Sequence, residues 1–214
     1  CYTGMVHDRR IDGKTTVFGN AGSLYMNAMT WWDHDTRSIW SQPVGRAIEG
    51  ELSGLELFLL PSELSTWANW LDKHPDTLLM SSDLERRGSW PQGFDPDFVI
   101  GLVLGEDARA YYYKDVVDAG IVNDWLGQTP VLVWAQDDKT AAYSRLVEEG
   151  TLTFFLQDGI LRDEESNSTW DPARGLAIEG PLRGTALRQL PSLSSYDWAW
   201  SDFYPQSGFY HIGN

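Results

Sequence analysis

Two stretches of this chain carry one pattern at a constant separation of 130 residues. The run from Trp40 to Pro75 matches the run from Trp170 to Pro205 without a gap, through Gly45/Gly175, Ala47/Ala177, Ile48/Ile178, Glu49/Glu179, Gly50/Gly180, Leu52/Leu182, Gly54/Gly184, Leu57/Leu187, Leu60/Leu190 and Trp70/Trp200. An ungapped match of this length is the mark of internal duplication. It requires a fold that can be built twice. Residues present in both copies are expected to maintain that fold, and residues present in one copy are free to carry function.

The bulk numbers exclude several classes of partner. The chain has 214 residues, enough for one large core or two small ones. A net charge of −15 and a pI near 4.5 argue against nucleic acid, whose phosphates need a basic face. They argue equally against electrostatic attachment to anionic lipid. Eleven tryptophans are an excess, expected as core or interface anchors. The apolar runs Leu55–Leu60 and Phe98–Leu104 fall far short of the roughly 20 residues that span a bilayer as a helix.

Residue 1 is Cys1, and it is the single cysteine, so no disulfide forms within the chain. An N-terminal cysteine is what bacterial lipoprotein processing leaves once the signal peptide is removed. Lipid on Cys1 would tether an acidic domain to an outward-facing membrane surface, where charge alone could not hold it. The expectation is an extracytoplasmic protein on the periplasmic side of a bacterial membrane. The competing reading makes Cys1 only the start of this segment. In the second copy the apolar Pro130–Trp134 precedes Ala142–Arg145, and its equivalent in the first copy would lie ahead of Cys1.

Short β-branched and aromatic runs punctuated by glycine predict strands at Thr15–Phe18, Ser23–Asp33, Ser38–Gln42, Arg46–Gly50, Phe98–Leu104, Ala108–Tyr113, Val131–Trp134, Ala142–Leu146 and Leu152–Leu156. Leu55–Leu60 reads as a buried run. A helix is predicted over Ser62–His74, capped by Ser62 or Ser65 and ended by Pro75, with a matching one over Leu193–Phe203. Lys114–Ala119 reads as a short helix or turn. The fold class is mainly β with minor helix (α+β), an internally duplicated domain whose two copies pack around one tryptophan-rich core. Copy one covers residues 1–80, a connecting loop 81–97, and copy two 98–214.

Few residues suggest chemistry. Asp33-His34-Asp35 offers two carboxylates and an imidazole to a divalent cation. The second copy has Asp163-Glu164-Glu165 there, so the outer acids recur and the histidine does not. Thr36/Ser166 and Ser38/Ser168 also recur before Trp40/Trp170, which favours hydrogen-bonding devices at turns and strand edges. His7, His34, His74 and His211 show no metal-ligand spacing, and no serine sits in a nucleophile elbow. Cys1, if free, has His7 as its nearest base in sequence. Asp124 in Val122-Asn123-Asp124 reads as part of a turn. The aromatics without a counterpart, Trp31-Trp32 and Tyr111-Tyr112-Tyr113, are different. Alternation along a strand sends one of Trp31 and Trp32 outward and sets Tyr112 opposite Tyr111 and Tyr113. Trp31, Trp32 and Tyr112 are therefore the candidate partner-binding residues.

The chain resembles the bacterial and archaeal domain-of-unknown-function family 3179. The resemblance rests on Phe18-Gly19 with Gly22, on Asp33-x-Asp35-Thr36-x-Ser38-x-Trp40-Ser41-Gln42, on Gly45-x-Ala47-Ile48-x-Gly50-x-Leu52-x-Gly54, and on Trp67-x-x-Trp70 with His74-Pro75. In the second half it runs through Gly101-x-x-x-Gly105, Ala108-Arg109-Ala110-Tyr111, Val122-Asn123-Asp124 and Ser168-x-Trp170-Asp171. The family's usual Cys-Pro-x-Cys is replaced here by Cys1-Tyr2-Thr3-Gly4. The resemblance implies architecture and frequent export or membrane association, and no reaction. Together these readings predict a non-catalytic extracytoplasmic accessory or binding subunit of a membrane protein complex, such as a respiratory or photosynthetic assembly. The lipid on Cys1 replaces a transmembrane helix, and no cofactor is expected. The alternative is a metal-binding protein or enzyme with a site between the copies, using Asp33, His34, Asp35 and His7.

Overall fold

A computed structural model of the chain describes residues 4–62, 65–79, 97–137 and 139–211. The first repeat opens with a small hairpin, β1 (Arg10–Ile11) and β2 (Lys14–Thr15). A four-stranded antiparallel meander follows: β3 (Phe18–Tyr25), β4 (Ala28–Asp33), β5 (Ile39–Ser41) and β6 (Arg46–Glu49). Helix α1 (Trp67–Lys73) comes later. The second repeat begins with β7 (Phe98–Leu104), β8 (Asp107–Tyr112), α2 (Tyr113–Ala119), β9 (Ile121–Leu126), β10 (Thr129–Gln136) and β11 (Lys139–Ser144). The first repeat's plan then returns as the hairpin β12 (Leu146–Val147) and β13 (Gly150–Thr151) and the meander β14 (Phe154–Gln157), β15 (Ile160–Asp163), β16 (Thr169–Asp171) and β17 (Leu176–Glu179). Strand β18 (Ser192–Tyr196), helix α3 (Asp197–Phe203) and β19 (Gly208–Tyr210) close the chain.

The two meanders match strand for strand. Trp40 pairs with Ala47 and Trp170 with Ala177, and a bulge separates Ile39 from Trp40 and Thr169 from Trp170. Phe18 faces Asp33 and Phe154 faces Asp163 across the first hairpin. Fifteen positions separate the first pair and nine the second, so the first hairpin is six residues longer. Upstream of it the separation between equivalent residues is therefore 136. That aligns His7 with Tyr143 and Arg9 with Arg145, and each member of both pairs keeps its place: His7 bridges Leu59 as Tyr143 bridges Gln189, and the Arg9 carbonyl accepts from Thr16 as the Arg145 carbonyl accepts from Leu152.

The layers belong to the second repeat. Sheet β18-β7-β8-β19 buries one face against β9–β11 and α2, around Ile100, Tyr111, Val131, Val133 and Leu190. Its other face holds Trp200 of α3 with Val99 and Ala110. The far side of β10 and β11 packs Leu132, Trp134 and Tyr143 onto Phe154, Leu161 and Trp170 of the meander. The first repeat has only a small core of Trp40, Ala47 and Leu57, edged by Ile11, Phe18, Trp31 and Leu52. The duplicated, mainly β fold with minor helix is as the sequence predicts. The single shared tryptophan core is not: Trp40 and Trp170 sit in equivalent surroundings in separate cores.

Five local readings also change. The single strand predicted over Ser23–Asp33 is the end of β3, a turn at Met26 and Asn27, and β4. The first helix spans Trp67–Lys73, with the Thr66 side chain accepting from Asn69 N–H as its cap. The second predicted helix begins only at Asp197, because Ser192–Tyr196 is drawn into the ladder beside β7. Asn123 and Asp124 lie within β9, not in a turn. In Leu55–Leu60 only Leu57 is buried. The predicted connecting loop, residues 81–97, lies outside the described residues except for its last position.

Gly50 and Gly180 show why glycine recurs. Both have positive φ (99° and 92°), and a Cβ would sit 2.8 Å and 2.7 Å from the backbone of Ser38 and Ser168. Gly184 has the same φ of 93° with open space around it. Gly180→Ala should therefore cost about 3 kcal/mol or more, against about 1–2 kcal/mol for Gly184→Ala, where only the backbone conformation is penalised. Urea unfolding of the two variants compares them directly, and equal midpoints would contradict the assigned close approach.

Candidate interaction surface

The recurring acidic residue is structural in both repeats. Asp33 and Asp163 are wholly buried. Oδ1 of Asp33 accepts from the Thr36 N–H at 2.5 Å. Its Oδ2 accepts from Thr36 Oγ1 at 2.8 Å, the Ser38 N–H at 3.1 Å and Trp40 Nε1 at 3.0 Å. Asp163 repeats this with Ser166 N–H at 2.5 Å, Ser166 Oγ at 2.9 Å, Ser168 N–H at 3.1 Å and Trp170 Nε1 at 2.8 Å. Ser38 Oγ and Ser168 Oγ then accept from the Leu52 and Leu182 N–H groups, each at 3.0 Å. Burial alone would push each carboxyl's pKa up, but the indole, hydroxyl and amide donors outweigh it and hold both below the ordinary carboxylate value.

The three residues of the acidic cluster turn to different partners. Asp33 points inward as described. His34 stacks on Trp32 with ring centroids 4.3 Å apart. Asp35 pairs with Lys14 at 2.6 Å and accepts from Thr16 Oγ1 at 3.2 Å. Among the described residues no three His, Cys, Asp or Glu side chains converge as a metal site would require. His7 lies apart from them, its ring under Gly45 and its Nε2 donating to the Gln42 carbonyl at 3.1 Å. Burial lowers the His7 pKa against the pull of the Gln42 and Leu57 carbonyls.

The aromatic candidates are partly engaged within the fold. Trp31 packs on Phe18 and on the His7 ring, both with centroids at 6.0 Å. Tyr112 stacks on Phe209 and donates to Asp197 at 3.1 Å, on the face of β8 opposite Tyr111. All three of Trp31, Trp32 and Tyr112 are half-buried. Cys1 lies outside the described residues. Asp124 accepts from Arg109 at 2.6 Å and from the Tyr111 hydroxyl at 2.8 Å. Burial and the Asp124 charge push the Tyr111 pKa far up, so Tyr111 is a fixed donor.

A different surface emerges when the repeats are compared position by position. Val6, Leu60 and Trp70 are 48%, 37% and 39% exposed. Their counterparts Ala142, Leu190 and Trp200 are 0%, 0% and 1% exposed, beneath the layers formed by β7–β10. Helix α1 buries no residue, whereas α3 buries Ala199 and Trp200. Arg145 is buried and donates to the carbonyls of Val131, Leu152 and Asp124 at 3.1, 2.6 and 3.1 Å. Arg9 is exposed, with no acceptor for its guanidinium among the described residues. None of Val6, Leu60, Arg9 or Arg145 is singled out by sequence reasoning. The six-residue difference in hairpin length conceals the Arg9/Arg145 match, which a gapped comparison of the copies would reveal.

A cavity of about 220 Å³ lies where the repeats meet, lined by Gly4, Val6, Ser62, Thr140, Ser192 and Ser194 among others. Ser62 and Ser192 are equivalent positions, and Ser62 Oγ donates to the Ser192 carbonyl at 3.4 Å. The lining offers hydroxyls and apolar surface, with no carboxylate or imidazole.

Asp33→Ala and Asp163→Ala should each cost about 2–4 kcal/mol in urea unfolding, because several buried donors lose their acceptor together. A second test uses pH. The folded pKa of His7 lies below its unfolded value, so its contribution is complete above about 6.5. It falls away as the pH drops from there towards the folded value, since the unfolded chain binds the proton first. His7→Tyr, which installs the second repeat's residue, should flatten the stability profile between about pH 7 and 5. An unchanged profile would show that another group titrates there.

The family described as "Protein of unknown function (DUF3179)" matches residues 1–96 and again residues 94–207. No curated protein and no solved structure matches the chain. With both repeats matched and nearly the whole length covered, the chain belongs to the DUF3179 family.

Proposed function

We propose that this protein is a non-catalytic extracytoplasmic accessory subunit that binds a membrane protein complex, with a respiratory or photosynthetic assembly as a candidate and a lipid on Cys1 as its tether. The observation that carries the reading is that the residues with the strongest chemical character, Asp33, Asp163 and Asp124, are committed to internal hydrogen bonds. The half-buried aromatics Trp31, Trp32 and Tyr112 are the candidate contacts with a partner. No helix among the described residues is long and apolar enough to cross a membrane, and a lipidated cysteine would supply the attachment.

A second reading, a small-ligand protein or enzyme with its site between the repeats, draws on the junction cavity. Its neutral hydroxyl lining suits a polar uncharged ligand better than a metal ion, which favours carboxylate, imidazole or thiolate donors.

Native protein extracted from membranes in mild detergent should co-purify with other subunits, and intact mass should show diacylglycerol on Cys1. A free protein that runs alone in the soluble fraction would defeat the accessory role. An unmodified Cys1 would remove the tether. Stoichiometric metal that disappears in His34→Ala and Asp35→Ala would overturn the preference for binding over metal chemistry.

A further inference from the structure

The chain carries no charged residue from Thr15 to Trp32, although Asp, Glu, Lys and Arg make up 22% of it. This stretch holds the hairpin β3–β4, the one that is longer than its counterpart β14–β15. The added length is ordered by its own hydrogen bonds. Asn20 Oδ1 accepts from the Gly22 N–H at 2.8 Å, within the span where the register shifts between Asn20 and Leu24. Beyond the shift the ladder resumes, with Leu24 opposite Met29 and Tyr25 opposite Ala28. Thr30 Oγ1 lies 2.7 Å from Ser23 Oγ and donates to the Ser23 carbonyl at 2.9 Å. An irregularity of this kind re-aims the strand that carries it.

The tip presents apolar side chains: Leu24, Tyr25 and Met26 are 71%, 42% and 39% exposed. Exposure is a property of this hairpin end, not of what backs the sheet. The corresponding end of the second repeat, residues 156–160, is exposed too, although β10 and β11 pack behind its meander. The two turns share a backbone and differ in chemistry. Met26 and Asn27 have φ of 48° and 60°, and Asp158 and Gly159 have 53° and 76°. Positive φ at both central residues is the two-residue turn that selects Asn, Asp and Gly. Asp158-Gly159 meets that demand. Met26 instead holds a conformation disfavoured for its side chain, at an exposed position. A residue that breaks a local rule there is accounted for by what its side chain meets outside the fold.

We propose that the Leu24–Asn27 hairpin tip inserts into the interface of a lipid bilayer, with Leu24 and Met26 at the acyl boundary and the Tyr25 hydroxyl among the headgroups. Three observations select lipid over a pocket in a protein. The hairpin lacks the charged rim that sets register in a protein interface, and charge is costly near hydrocarbon. Its last residues are paired across the ladder, as a medium poor in hydrogen-bond partners demands. Tyrosine belongs at a boundary that is apolar on one side and wet on the other. The net charge of −15 is repelled by anionic lipid, so the surface is zwitterionic. This contact goes beyond the accessory role and is independent of the tether on Cys1. Alone it is weak and reversible, and it gains effect where the protein is already held at a membrane.

The probe is a phosphatidylcholine vesicle, mixed with the full chain carrying Cys1→Ser so that no lipid is attached. The protein should float with the vesicles in proportion to lipid, and added salt should not release it. Leu24→Asp with Met26→Asp should lower the partition coefficient at least about tenfold. Met26→Gly suits the turn, so its urea midpoint should be equal or higher, while its partition falls about two- to threefold. An environment-sensitive fluorophore on Leu24→Cys should shift to the blue with lipid, and the same fluorophore on Asp158→Cys, at the other hairpin end, should not. Replacing part of the phosphatidylcholine with phosphatidylglycerol should weaken binding. No flotation at millimolar lipid, equal response of the two fluorophores, full partition of Met26→Gly, or binding that needs anionic lipid overturns the proposal. So does a complex in detergent that is lost on Leu24→Asp with Met26→Asp, which would assign the tip to a protein pocket. A chain that does not float yet co-purifies with other subunits overturns this contact while leaving the accessory role intact.

Discussion

The meander depends on an ionised carboxylate held out of water. A buried charge is costly unless donors replace its hydration. Asp33 and Asp163 each receive an indole N–H, a hydroxyl and two backbone amides. Those donors come from the turn that follows the aspartate and from the next strand, so meeting the charge fixes the path of the chain. The adjoining serine extends the constraint by accepting from Leu52 or Leu182, whose loop returns over the glycine that has no room for a Cβ. Aspartate, serine, tryptophan and glycine thus recur as one unit. The same geometry removes Asp33 from cation binding, since its lone pairs are already occupied.

The same unit stands in two physical settings. In the second repeat the meander is backed by Leu132, Trp134, Ala141 and Tyr143, and its hydrogen-bonded turn is one contribution among many. In the first repeat the fully buried apolar core is Trp40, Ala47 and Leu57. Less apolar area is removed from water there, so a larger share of local stability falls to the carboxylate network and to His7 packed beneath Gly45.

Much of this was legible in the chain. The repeat, its mainly β character and the structural role of Asp33, Thr36, Ser38 and Trp40 follow from the recurrence at 130 residues. Alternation placed Tyr111 and Tyr112 on opposite faces, as found. Three things were concealed. Ser192–Tyr196 has helix-compatible neighbours, and its strand state comes from pairing with β7, a contact nearly 100 residues away in sequence. Leu55–Leu60 has the composition of a buried run, but of its residues only Leu57 is buried, because burial is set by packing and not by composition. Arg9/Arg145 and His7/Tyr143 fall out of alignment across the longer first hairpin. Local pattern reports the unit that repeats, whereas burial depends on what is packed against it.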